Sequence, residues 1–459
     1  MTLGIMHTGS IIKTLFYLFS DTGIKRGQIT NAIVFMIAKD GLPLNTVEKT
    51  GFRYLMKVVA PLYKVPARKT MTHMIDDKYD ILSTQLKLKI QEVEALSLTA
   101  DVWTDSHNSQ SYLGLTGHCI YESKLLSIVF GVTALTEPHN ADYLAQVIIN
   151  MTEKWGIISN KVVAFITDNG ANIVKAVTNV YGKNKHMPCF AHTLNLVASK
   201  PFDNKDGLEE AKNLLTAVKD ITTYFKHNTN ALSEIIAPIL LKYPKAPTML
   251  TAQQLEFIKD LINILRPLEV ITKEISGEDY VTASKIIPIV SCLTETYNTM
   301  KNSTDIACSR AINKINTSIL DITRQSLPQN NSEEVDAIES ADKDMKNGIW
   351  DFHKLLVKKQ LSLCNALAQE NQGLNEEFKH YLSQAVVHLK YDPVLYWQEQ
   401  KSSIYHHVHP IAMMYMSIVG SSVPCERLFS IAGNIASDER NRLDPKRLDR
   451  LLFFKKFRY

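Results

Sequence analysis

The chain has no CxxC pair: its six cysteines, Cys119, Cys189, Cys292, Cys308, Cys364 and Cys425, are scattered over 459 residues. That spacing argues against a disulfide scaffold and against a complete zinc finger, and it suits reduced thiols inside a cell. Also absent is any run of about 18 uncharged apolar residues, so a membrane span is not expected. The opening stretch "MTLGIMHTGSIIKTLFYLFSDTG" has an apolar run but no basic flank and no small-residue cleavage site, which argues against a signal peptide. No fixed-period repeat is present, so the helical half of the chain is not read as a solenoid. Net charge is small, +4, and says little about a nucleic-acid partner until its distribution is known.

The composition is that of a globular protein, 45% hydrophobic and 21% charged. From Asn31 to Ile90 apolar residues recur at helical spacing, with "GLP" and "APLYKVPAR" as breaks. The period then changes. "ALSLTADVW", "SYLGLTGHCIY" and "LLSIVFGVTAL" read as three strands joined by short polar turns, an antiparallel meander. "NADYLAQVIINMTEKWG" follows as a helix, with Asn140 or Asp142 near its start and Gly156 beyond its end. "KVVAFITDNG" reads as a strand buried on both faces and parallel to a neighbour. Three antiparallel strands, a crossover helix and a parallel strand match the order of a ribonuclease H-like α/β core. Beyond "MPCFAHTLNLVASK" the chain is helical for about two hundred residues. The polar middle of "NKINTSILDITRQSLPQNNSEEVDAIESADKDMKNG" is the best candidate for a mobile loop.

In "LTADVWTD", Leu96, Leu98, Ala100 and Val102 alternate with Ser97, Thr99, Asp101 and Trp103, so Asp101 and Asp105 fall on the face opposite the aliphatic residues. In the ribonuclease H-like order this strand lies beside the one ending in Asp168. Two ionised carboxylates a few ångströms apart repel unless a divalent cation lies between them, and hard oxygen donors suit Mg²⁺ or Mn²⁺. Such cations can serve phosphoryl transfer. The alternative is that "TDNG" is an Asx turn or helix cap before "ANIVKAV". Asp105, at the turn into "SHNSQ", is explained by an Asx-type hydrogen bond.

"LTADVWTD", "FITDNGANIVKAV", "CFAHTLNLV" and "SSVPCERLFSIAGNIASDERNRLDPKRLDRLLFFKK" together resemble the hAT superfamily of DNA transposases and the transposase-derived zinc finger BED domain-containing proteins. The resemblance runs over roughly residues 30 to 459. It implies a DDE-type ribonuclease H-like core interrupted by a large all-helical insertion and preceded by a small helical module. On that plan residues 1–30 are an unassigned N-terminal segment and 31–90 a helical DNA-binding or dimerisation module. Residues 91–200 are the first part of the core, 201–372 the helical insertion, and 373–459 the C-terminal dimerisation region completing the core. The resemblance carries over three catalytic and metal-holding acids, Asp101 ahead of Trp103, Asp168 and Glu426, with Mg²⁺ or Mn²⁺ as cofactor and DNA strand cleavage and transfer as the reaction. DNA and a second copy of the chain are the implied partners, no membrane is expected, and the nucleus is the implied location. The alternative within the same family is a domesticated nuclear DNA-binding or transcription-regulatory protein that dimerises without catalysis.

Cys189 and His192 match the family's CxxH element, three residues apart; packing, or holding a DNA end, is favoured over zinc, which needs further ligands. "YHHVHP", with His406, His407 and His409, is read as a solvated turn. Trp397, Leu428 and Phe429 are implied at the dimer interface, though an apolar helical stripe is equally a private core. From Ser421 onward nine Lys or Arg face five Asp or Glu. Arg440, Arg442, Lys446, Arg447, Lys455 and Lys456 are therefore candidate phosphate contacts, against the alternative of a solvated basic face. Two departures stand out. Residues 1 to 30 contain no cysteine, so no BED finger is expected in this chain: either the gene model is truncated or the module has been lost, the opening stretch favouring a truncated or mispredicted first exon; and Cys425 precedes Glu426 where serine is commoner in the family that the chain resembles.

Overall fold

The structure, a computed structural model, describes residues 23–105, 109–203, 207–227, 248, 250–277, 280–301, 306–326, 376–384, 387, 391–402, 404–435 and 444–456. The chain divides into two compact units, one of residues 1–187 with 414–459, the other of 188–413.

The described part of the first unit opens with three helices, α1 (Ile24–Lys39), α2 (Thr50–Val59) and α3 (Arg68–Glu92). The breaks between them fall where glycine and proline place them, at Gly41 to Pro43 and across Ala60 to Ala67. These helices are not a separate module. Ile37, Met71, Ile75, Leu86 and Ile90 share one apolar core with the sheet that follows, so the boundary expected at residue 90 falls inside a single body.

That sheet comprises β1 (Leu96–Thr104), β2 (Ser111–Tyr121), β3 (Lys124–Leu135), β4 (Val162–Thr167) and β5 (His186–Pro188), in the order β3-β2-β1-β4-β5. The first three strands pair antiparallel, and β4 runs parallel to β1. Between β3 and β4 the crossover is α4 (Ala141–Lys154), capped by the Asn140 side chain accepting from Tyr143 N and followed by Gly156 at φ +67°. After β4 comes α5 (Ala171–Tyr181).

Period two gives the two sheet faces different fates. Leu98, Ala100, Leu113 and Leu115 pack with Leu144, Ile148, Ile173 and Val177 of α4 and α5. The other face, with Tyr112, Val129 and Val132, is closed by two helices from the far end of the chain, α14 (Val423–Ile435) and α15 (Pro445–Lys456), through Leu428, Phe429, Ala432, Ile435, Leu448, Leu451 and Leu452. A bulge opposite Leu115 and Thr116 keeps Val129 and Val132 on that face. Gly131, at φ +125°, lies in the bulge, and Val132 N donates to Asp449 Oδ1 of α15 at 3.0 Å. Lys154 holds the second oxygen of Asp449 at 3.0 Å.

The described part of the second unit is built from helices: α6 (Phe190–Ser199), α7 (Glu209–His227), α8 (Ala252–Ile275), α9 (Ile286–Lys301), α10 (Ile306–Ser326), α11 (Glu376–Ser383), α12 (Pro393–Glu399) and α13 (Val408–Tyr415), the last running past its boundary. Helix α8 starts in a Thr251–Gln254 capping box, and buried Tyr297 of α9 donates to Ile264 O at 2.8 Å. The expected boundaries at 200 and 372 differ from those observed at 187 and 413. The stretch expected to hold a mobile loop is helical as far as Ser326, and its middle from residue 327 on lies outside the described residues. No described helix is long and apolar enough to cross a membrane.

Candidate acidic site of the first unit

Register brings the first two acids together. Thr99 of β1 pairs with Ile166 of β4, so two residues further along Asp168 comes level with Asp101. On its other side Asp101 pairs with Gly114 of β2. Asp101 lies on the face covered by α14, and its Oδ1 accepts from Val102 N at 2.8 Å. Burial pushes its carboxyl up to about 7; that hydrogen bond opposes the shift, and the negative charges of Asp168 and Glu426 add to it. Both charges that act on Asp101 are carboxylates.

Asp168 follows the last residue of β4 and accepts from Gly170 N at 3.1 Å, the Asx turn that leads into α5. Turn former and candidate ligand are thus the same residue. Thr167, fully buried beside it, contacts the Asp168 carbonyl and His186 Nε2, both at 2.9 Å. Burial lowers the His186 pKa, which favours the neutral ring. Glu426 stands exposed in the first turn of α14, where a carboxylate is favoured by the helix dipole.

The helix that carries Glu426 is seated by its neighbours. Cys425 Sγ lies 3.2 Å from both Thr99 Oγ1 and Thr99 O, and burial pushes its thiol up to about 12, so it remains S–H. One turn on, Phe429 stacks against Trp103 at 5.8 Å and 19°, and Trp103 stacks in turn on Tyr112 at 5.7 Å. Trp103 is therefore a wall between sheet and helix, two residues from Asp101.

Among the described residues no three His, Cys, Asp or Glu side chains are already gathered as a metal-binding group. Asp101 senses the charge of Asp168 and Glu426, and the three do not form a closed ligand set. Their chemistry nonetheless fits a hard cation, since all three offer oxygen donors only.

Other expected sites resolve differently. Asp105, expected in an Asx-type turn into residues 106–108 that lie outside the described ones, is buried: only 2% of its surface is exposed, its backbone N–H donates to Gln110 O, and burial together with its charge raises the pKa of Tyr112. Cys189 precedes the first turn of α6 as its cap, with Sγ accepting from His192 N at 3.4 Å, so the pair closes a helix end rather than lining one helix face. His407 is exposed and bound to Glu377 at 2.7 Å. Trp397, Leu428 and Phe429 are buried within the chain, Trp397 against Tyr381 and Tyr405, so none presents its side chain to a second copy. Of the basic candidates, Arg440 and Arg442 and the Lys456 side chain lie outside the described residues. Arg447 is 4.0 Å from Asp76 of α3, where Arg450 also pairs, which makes both parts of an internal ion cluster. Lys455 accepts from Lys39 through its carbonyl, and Lys446 is exposed.

Sequence reasoning missed Gly114. A Cβ there would lie 2.7 Å from Phe429 Cζ. The signal was available, since an isolated glycine inside a strand marks the close approach of something else.

Two family models match the chain: the ZBED1 RNase-like domain over residues 99–188 and the hAT family C-terminal dimerisation region over 377–457. The first holds Asp101 and Asp168, the second Glu426. Human zinc finger BED domain-containing protein 4 is 22% identical along 95% of this chain, which matches 44% of that protein. Mouse zinc finger BED domain-containing protein 6 is 27% identical over 44% of the chain and 22% of its own length. The Hobo transposase of Drosophila melanogaster is 26% identical over 38% of the chain and 29% of its own length. The chain thus spans less than half the length of each of these relatives.

Proposed function

We propose that this chain, a hAT-derived transposase-like protein, cuts and joins DNA strands at a site formed by Asp101, Asp168 and Glu426, with Mg²⁺ or Mn²⁺ as cofactor. The observation that carries the proposal is the acid cluster itself: three carboxylates from β1, the end of β4 and α14, with the Asp101 carboxyl held up by burial and by the charge of the other two. A pair of cations held by these three would neutralise the phosphate, activate the attacking oxygen and stabilise the leaving one. The chain's own part is positional. Asp101 gives up its proton when the cluster is neutralised, Asp168 is oriented by its turn, and Glu426 faces outward from α14, where a DNA backbone has access. Trp103, Phe429 and Tyr112 form an apolar wall that limits water on one side. In this reading the sheet is the ribonuclease H-like core, the second unit is its helical insertion, exposed Lys446 contributes to holding phosphate, self-association runs through the C-terminal region, and the protein works in the nucleus.

The test is nicking of supercoiled plasmid by the full chain with Mn²⁺ or Mg²⁺, against Asp101→Ala, Asp168→Ala and Glu426→Ala. Rates should fall at least about a hundredfold in each variant, as expected for groups acting on the reacting atoms. Wild type that is folded, self-associated and inactive refutes the enzyme and leaves the second reading, a domesticated nuclear DNA-binding or regulatory protein that dimerises without catalysis. That reading is favoured by likeness along 95% of the chain to a BED domain-containing protein, against 38% for the Hobo transposase.

A further inference from the structure

The seat of α14 on the sheet is apolar except at one place. Leu428, Ala432 and Ile435 make contacts that have no direction and tolerate rotation or sliding of the helix. Cys425 instead meets a chain of polar groups crossing two strands: its Sγ with Thr99 at 3.2 Å, Thr99 Oγ1 with Thr116 Oγ1 at 2.6 Å, and Thr116 Oγ1 with His118 Nε2 at 3.3 Å. All four residues are buried, with at most 1% of each exposed. Polar groups so placed cost free energy unless they are satisfied; the Thr116 and His118 contacts lie within the sheet and hold the Thr99 hydroxyl in place, and the Cys425–Thr99 contact is the one among them that depends on where α14 sits. A second anchor lies one turn along, where Phe429 rests on Gly114 and Trp103. Gly114 stands opposite Asp101, and Glu426 follows Cys425 directly. A one-residue slip of α14 would swing Glu426 by about 100°.

From this geometry we infer that Thr99, Thr116, His118 and Cys425, together with Gly114, form a register lock that sets where α14 presents Glu426 to Asp101. They are positioning residues, and the role rests on the acid site proposed above.

Two measurements on the full chain test this, neither needing DNA. Mn²⁺ binding, read from loss of the free-ion electron paramagnetic resonance signal, should stay within about threefold of wild type in Cys425→Ser and weaken about 10- to 100-fold in Cys425→Ala and in the isosteric Thr116→Val. Circular dichroism checks that each variant is folded, and Thr116→Val is decisive should Cys425→Ala or Gly114→Ala fail to fold. The second measurement is metal-free: in a Cys425→Ser background, thiols introduced by Asp101→Cys and Glu426→Cys are bridged with a short bismaleimide, the described native cysteines being buried. Adding Thr116→Val should cut the bridging yield several-fold. Wild type that binds no Mn²⁺ refutes the metal site and leaves the lock to the bridging yield alone. An unchanged yield in Thr116→Val overturns the lock, whatever Mn²⁺ does.

Discussion

Asp101→Asn should make the protein more stable above neutral pH while abolishing any metal-dependent activity. In the folded chain the carboxyl is lifted from 3.8 to about 7. Below about pH 4 it is protonated in both folded and unfolded chains, and its full contribution to stability is present. Between about pH 4 and 7 the unfolded chain ionises while the folded one holds its proton, so stability falls as pH rises; above 7 the deficit is constant. About three pH units at about 1.4 kcal/mol each give a ceiling of about 4 kcal/mol, reduced by whatever water reaches the partly exposed carboxyl. Asparagine keeps the acceptor for Val102 N and carries no charge. Urea denaturation from pH 4 to 8.5 should therefore show wild type losing stability across this window and Asp101→Asn losing less, the two converging at pH 4. Mn²⁺ at pH 8 should raise the wild-type midpoint and leave that of Asp101→Asn unmoved. Parallel pH profiles for the two proteins would refute burial and carboxylate repulsion as the source of the shift.

Gly131→Ala places a Cβ 1.9 Å from Asp449 Oδ1 at a φ of +125°, so the bulge and its clamp are lost together; urea melts should show at least about 2 kcal/mol of destabilisation. Lys446→Ala should lower the salt dependence of DNA binding by about one unit of slope, whereas Arg450→Ala should leave the slope alone and lower the melting temperature, because Arg450 serves Asp76 and the Tyr79 ring. Trp397→Ala removes a buried ring from the Tyr381–Tyr405 cluster and should cost about 3 kcal/mol without producing folded monomer, as sedimentation of the soluble fraction would show.

Much of the sheet was legible because its strands differ in a way that reflects their surroundings. β4 reads as an unbroken apolar run because both its faces are covered; β1 alternates because only one face is aliphatic. The helix cap at Asn140 and the breaks at Gly41 and Pro43 were local and readable for the same reason. Domain limits were not. Nothing local to residues 31–90 tells that Met71 and Ile75 pack into the sheet's own core, since a helix face bears no mark of what covers it. The burial of Asp105 was hidden likewise: a turn acid and a buried acid look the same until Tyr112 of the next strand is placed beside it. Among the basic residues, charge count could not separate Arg450, spent on Asp76, from Lys446, which faces solvent.

The dimerisation match ends in two helices whose apolar residues are already used within the chain. Cys425, Leu428, Phe429, Ala432 and Ile435 form one face of α14, and that face lies on β1 and β2. What α14 turns outward is Glu426, Ser430 and Asn434, a polar stripe at four-residue spacing. The C-terminal segment therefore completes the core first and can serve association only from its other surfaces. Deleting residues 414–459 should then strip Tyr112, Val129, Val132 and Trp103 of their cover and yield insoluble protein instead of soluble monomer. A soluble, monomeric truncation with the circular dichroism of an intact sheet would show that α14 and α15 are an appendage, and Glu426 could not then be the third member of the acid site.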